Sequence, residues 1–150
     1  MSATESEIAI LDIDTKIFTL EFSNNPSMSR REIAWSPDGS QIMSACGIFV
    51  DTYTDNENIL FNAQNGNVDG TLTIRAFTDN IDYNPFNKTI AIDSFTKVII
   101  VDDKLLTKQN RFLPPNFNDA PGFRFDRYAN IQFNPDGTRL MAATLNYSRD

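Results

Sequence analysis

The sequence predicts an all-β fold of repeated antiparallel four-stranded sheets, and three observations carry that prediction. A Pro-containing turn between apolar strands occurs three times without a gap, in Glu32 to Met43 ("EIAWSPDGSQIM"), Asn80 to Ala91 ("NIDYNPFNKTIA") and Asn130 to Met141 ("NIQFNPDGTRLM"). Continuous apolar runs ended by an acid stand at Ile8 to Asp12, Ile48 to Asp51 and Val98 to Asp102, as expected of strands covered on both faces. No segment shows a helical period of apolar residues, and Asn-rich, Pro-punctuated links break any long helix.

Taken in chain order, the apolar run at Ile8 and a second strand over Ile17 to Phe22 form an opening pair, residues 7–22. The first hairpin follows. Ile33 and Trp35 are two residues apart, so both side chains share one face of a strand. Pro37 then fixes φ, Gly39 supplies the positive φ that closes the turn, and Ile42 reopens a strand. With Ile48 to Asp51 as third strand and a fourth between Asn58 and Phe77, this sheet spans 31–77. The second hairpin repeats the pattern with Ile81, Tyr83, Pro85, Asn87 and Ile90; Val98 to Asp102 and a strand near Leu105 to Phe112 complete a sheet over 79–112. The third has Ile131, Phe133, Pro135, Gly137 and Leu140 and occupies 128–144. The prolines recur at intervals of 48 and 50 residues, a period that suits one four-stranded sheet per repeat.

"WSPDG", "YNPFN" and "FNPDG" between apolar strands resemble the inner hairpin of WD40-like β-propeller blades. The resemblance implies blades of four strands, a to d from the inside out, with Trp35 and Tyr83 at core positions on inner strands. The Gly-His pair and Trp-Asp dipeptide of WD40 repeats are absent, so the hydrogen-bonded tetrad that the His supports is not implied. An opening c-d pair, two full blades and a closing a-b pair make three blade-equivalents. Propellers use about four to eight, so this reading leaves blade faces and strand edges open to water. Either a second copy completes a six-bladed ring as a homodimer, or the chain is a fragment that pairs with the rest of a larger propeller.

Composition narrows the function classes. The chain of 150 residues has 41% hydrophobic residues, 12 Phe and 22% charged residues, enough apolar surface for a folded core. A net charge of −7 with scattered basic residues offers no concentrated positive field for nucleic acid. The absence of histidine removes Ser-His-Asp and Cys-His catalysis and histidine metal sites. The single cysteine, Cys46, excludes an internal disulfide and reads as a small core thiol. No signal peptide or membrane-spanning run is present, so an intracellular, soluble setting without membrane contact is expected.

Four segments could carry function. "NGNVDG" places Asn65, Asn67 and Asp69 at the alternating spacing of a Ca²⁺ loop, but supplies one carboxylate and has Ala76 where a bidentate acid is needed. These are also ordinary hairpin-turn residues, so no metal and no cofactor is expected. The pairs Asp12/Asp14 and Asp102/Asp103 could serve as acid and base; they read more simply as turn residues bonded to local backbone. The segment from Arg111 to Asn130 carries Phe112, Phe117, Phe123, Phe125 and Tyr128 with Arg111, Arg124 and Arg127, the composition of binding hot spots. The expected function is a non-catalytic protein-protein interaction or assembly scaffold; the alternative is a sugar- or small-ligand-binding propeller.

Overall fold

Strand-forming β-branched and aromatic residues punctuated by Pro, Gly and Asn give strands and turns throughout the described residues. The computed structural model describes residues 7–23, 30–46, 56–74, 78, 80–94, 97–102, 110–112 and 125–146. In chain order the strands are β1 (Glu7–Leu11), β2 (Phe18–Ser23), β3 (Arg30–Trp35), β4 (Gln41–Cys46), β5 (Asn56–Asn62) and β6 (Val68–Ile74). They continue with β7 (Ile81–Tyr83), β8 (Thr89–Ser94), β9 (Lys97–Asp102), β10 (Asn110–Phe112), β11 (Phe125–Phe133) and β12 (Leu140–Asn146).

Among the described residues all pairings are antiparallel, in two four-stranded sheets, β3-β4-β5-β6 and β7-β8-β9-β10, and two two-stranded sheets, β1-β2 and β11-β12. The all-β expectation therefore holds. One strand assignment does not. The third strand of the first full sheet is β5, paired Ile42↔Phe61 and Met43↔Leu60, whereas Ile48 to Asp51 lie outside the described residues. Both segments are short apolar runs ended by a polar turn former, and pairing with β4 is what distinguishes them.

Contacts between sheets concentrate on their first strands, with β7 touching both β3 and β11. The sheets thus stand in a row and converge at that edge. Between the two full sheets lies the main core, where Met43, Ala45, Leu60, Leu72 and Ile74 meet Ile81, Tyr83, Ile90, Ile92, Ile99 and Val101. On the far side of the second sheet, Ala91 and Val98 pack with Ile131, supported by Ile100, Phe133 and Leu140. The opening pair reaches the first full sheet through Ile8, which joins Ile59 and Phe61.

Trp35 departs from its expected place. Tyr83 is 5% exposed, but Ile33 and Trp35 are each 47% exposed, although their strand spacing is the same. The sheet on that side has only β1 and β2, and Ile8 covers β5 rather than β3. Cys46 ends β4; its side chain lies outside the described residues.

Candidate functional site

The three hairpin turns lie side by side and are bonded to one another. In the first, Ser36 N–H donates to the Gln41 carbonyl and Gly39 N–H to the Ser36 carbonyl, both at 2.9 Å. Asp38 Oδ1 accepts from Ser40 N (3.1 Å), Ser40 Oγ (2.7 Å) and Ser36 Oγ (2.8 Å). The third turn is built alike, with Gly137 N–H bonded to the Asn134 carbonyl at 2.9 Å and Asp136 Oδ1 accepting from Thr138 N at 2.9 Å. Gly39 and Gly137 have φ of 69° and 67°, which Gly adopts without steric cost.

The second turn is displaced by one residue. The expected positive φ at Asn87 occurs at Lys88, with φ 56°. Asn87 Oδ1 accepts from Thr89 N at 3.1 Å and Thr89 Oγ1 at 2.7 Å, the part that Asp38 and Asp136 play in the other turns. The left-handed residue then follows it, as Gly39 follows Asp38. Pro37, Pro85 and Pro135 are exposed at the turn tips.

Three links tie neighbouring hairpins together. Lys88 Nζ pairs with Asp38 Oδ2, Asn84 Nδ2 donates to the Gly137 carbonyl at 2.8 Å, and Phe133 N–H donates to Asp82 Oδ2 at 2.6 Å. Lys88 and then the Ser40 and Ser36 hydroxyls hold the Asp38 carboxyl well below the ordinary carboxylate range. Burial pushes Asp82 upward, opposed by the Phe133 and Tyr83 backbone bonds. Beside Asp82 runs an open groove of about 720 Å³, whose lining includes Tyr83, Phe133, Pro135, Arg139 and Met141.

The other sequence-predicted residues are dispersed. Asn65 Oδ1 accepts the Asn67 N–H at 2.9 Å, and Asp69 Oδ2 accepts from Gln41 Nε2 at 3.0 Å, so these oxygens serve the β5-β6 turn and its neighbour. Among the described residues, no three Asp, Glu or Cys side chains gather as a metal site. Asp12 Oδ1 accepts from Thr15 N (2.7 Å) and Thr15 Oγ1 (2.8 Å); the backbone bond foremost lowers its pKa. Asp103 lies outside the described residues. In the candidate loop, Arg111 and Phe112 belong to β10, and Phe125, Arg127 and Tyr128 to β11. Phe117, Phe123 and Arg124 lie outside the described residues.

Sequence reasoning missed Lys88, Asp82 and Asn84 as linking residues. Asn84 stands where the other repeats have Ser36 and Asn134, and its partner is 53 residues away. No local signal marks such a bond. Among the described residues no helix is long and apolar enough to cross a membrane.

No protein-family model matches the chain, and no curated protein matches it. Solved structures do. The chain is similar to the β-propeller domain of Cps50 (Swd1) from Myceliophteria thermophila, with 20% identity and a TM-score of 0.69, over 94% of this chain and 43% of that one. It is also similar to hydrazine synthase of Kuenenia stuttgartiensis, with 18% identity and a TM-score of 0.59, over 74% of this chain and 28% of that one. The chain thus spans less than half the length of either. The likeness shows the fold, a β-propeller arrangement of blades.

Proposed function

We propose that this chain is a non-catalytic scaffold for protein-protein interaction and assembly, whose blades complete a ring with a second copy or another polypeptide. The observation that carries this reading is the open apolar face of β3, where Ile33 and Trp35 are half exposed in a row of sheets that ends in two-stranded sheets. Large aromatic and aliphatic side chains left on one continuous face favour association. The blades support variable loops at their ends. The segment containing Arg111, Phe112, Phe117, Phe123, Arg124, Phe125, Arg127 and Tyr128 is the proposed contact for a further protein partner.

Light scattering across a dilution series tests the assembly reading. Particles heavier than the 17.0 kDa chain are expected. A folded monomer at every concentration overturns it. The groove beside Asp82 and Arg139 favours a second reading, a sugar- or small-ligand-binding propeller. Saturable binding in a glycan screen, lost in Asp82→Ala, would select it.

A further inference from the structure

The two short sheets match the outer and the inner half of a blade. The β1-β2 hairpin copies β5-β6, the outer pair of the first full sheet. A register shift falls between Ile10 and Leu11 in one and between Leu60 and Phe61 in the other. Their turns match bond for bond: Asp12 N to Ile17 O and Lys16 N to Asp12 O at 3.0 Å, against Asn62 N to Asn67 O at 2.8 Å and Gly66 N to Asn62 O at 2.9 Å. Positive φ falls on the corresponding residues, Lys16 at 61° and Gly66 at 72°. The β11-β12 hairpin copies the inner pair β3-β4 in the same way, including a shift between Tyr128 and Asn130 that answers the one between Arg30 and Glu32.

The complete sheets supply the register in which such halves join. Second and third strands pair Gln41↔Asn62, Met43↔Leu60 and Ser44↔Ile59 in one sheet, and Thr89↔Asp102, Ala91↔Ile100 and Ile92↔Ile99 in the other. Carried to β12 and β1, this register sets Arg139 opposite Asp12, Met141 opposite Ile10 and Ala142 opposite Ala9. An Arg and an Asp meet across the new ladder.

The sheet faces agree with the edges. Met43 faces Ile81 and Tyr83 in the first joint between sheets, and Ala91 faces Ile131 in the second. Met141 holds the corresponding place on β12 and is 60% exposed; Ile33 and Trp35 hold the corresponding places on β3 and are each 47% exposed. These two open apolar surfaces match the two sides of the joints already formed within the row.

Among the described residues the two surfaces do not meet. The short sheets stand at opposite ends of the row with both full sheets between them, and propellers need about four to eight sheets to close.

Resting on the assembly reading above, we propose that β12 of one copy adds to β1 of a second, with Ala142 opposite Ala9. Met141 then covers Ile33 and Trp35 of that copy, and a two-fold axis makes both joints identical. Each copy brings two full sheets and both halves of a third, so two copies close a six-bladed ring.

Cysteine pairs in the full chain, with Cys46→Ser as background, test the register. Ala9 and Ala142 are exposed, so Ala9→Cys on one copy and Ala142→Cys on another leave each fold undisturbed. Mixed under mild oxidation, they should give a disulfide-linked species of twice the 17.0 kDa chain mass. Ala143→Cys, one residue along and therefore on the opposite face, should link to Ala9→Cys at least tenfold less. A dimeric mass in which the 143 variant links as well as the 142 variant overturns this joint while leaving the assembly reading standing. A folded monomer overturns both. Amide exchange of the unaltered chain gives a readout free of cysteine: β1 amides should slow as the protein is concentrated, and unchanged rates in a particle heavier than the monomer also overturn the joint alone.

Discussion

The Asn84 side-chain amide donates to the Gly137 carbonyl at 2.8 Å, and a Cβ added to Gly137 would stand 2.4 Å from Asn84 Oδ1. Gly39 has nearly the same φ, 69° against 67°, yet a Cβ there meets nothing within 4 Å. Gly39→Ala should therefore cost about 1–2 kcal/mol, the left-handed strain alone. Gly137→Ala should cost about 1 kcal/mol more, because Asn84 is displaced from the Gly137 carbonyl and from the Phe86 N–H. Urea unfolding of both variants measures the difference, and Asn84→Ala should shrink it.

Asp82 accepts the Phe133 N–H between neighbouring hairpins. Asp82→Ala leaves that part-buried donor without its partner and should cost about 1–3 kcal/mol. Asp82→Asn keeps an oxygen acceptor and removes a charge that burial disfavours, so it should cost clearly less. Denaturant midpoints of the two variants decide the matter.

Asn58 is fully buried, accepts from Thr78 Oγ1 at 2.8 Å and donates to the Leu72 carbonyl at 3.2 Å. Asn58→Ala should destabilise by about 1–3 kcal/mol. Asn65→Ala, at an exposed turn, should change the melting temperature far less. Thermal melts of both variants check the contrast.

Acid should weaken the fold by a route visible in the turns. Asp38, Asp12 and Asp136 have folded pKa values below the ordinary carboxylate value. Each contributes stability that is present above an unfolded pKa of about 4 and is lost as pH falls through its folded value. Burial raises Glu32 and Asp82, and protonation favours the fold there, so these two oppose the trend. Melting temperature should fall below about pH 4, and Asp38→Asn should flatten that fall more than Asp136→Asn. Added salt should reduce the share carried by the Lys88–Asp38 pair, which is exposed.

The inner hairpins were legible because their determinants are local: Pro37 and Gly39 dictate a turn wherever they stand, and Ile81 with Tyr83 marks one strand face by spacing alone. Trp35 has that same spacing, and its exposure depends on what the adjoining sheet lacks. The strand that follows β4 is not legible in the sequence, because the runs at Ile48 and Ile59 look alike until one of them pairs with Met43 and Ser44. At Asn87 the side-chain bond to Thr89 moved the left-handed residue to Lys88, a choice between two residues that both fit a turn. The links from Asn84, Asp82 and Lys88 join residues about fifty positions apart, beyond any local pattern.

Because the cores among the described residues lie between neighbouring sheets, resistance to opening depends on position along the row. Ile90, Ala91 and Ile92 of β8 are fully buried, with side chains entering the cores on both sides of their sheet. β8 is thus the keystone strand: fluctuations that expose its amides must separate two joints at once, whereas those at β1 or β12 separate at most one. Hydrogen exchange should accordingly form a gradient, slowest at β8 and faster toward both ends, and joining the ends would flatten it.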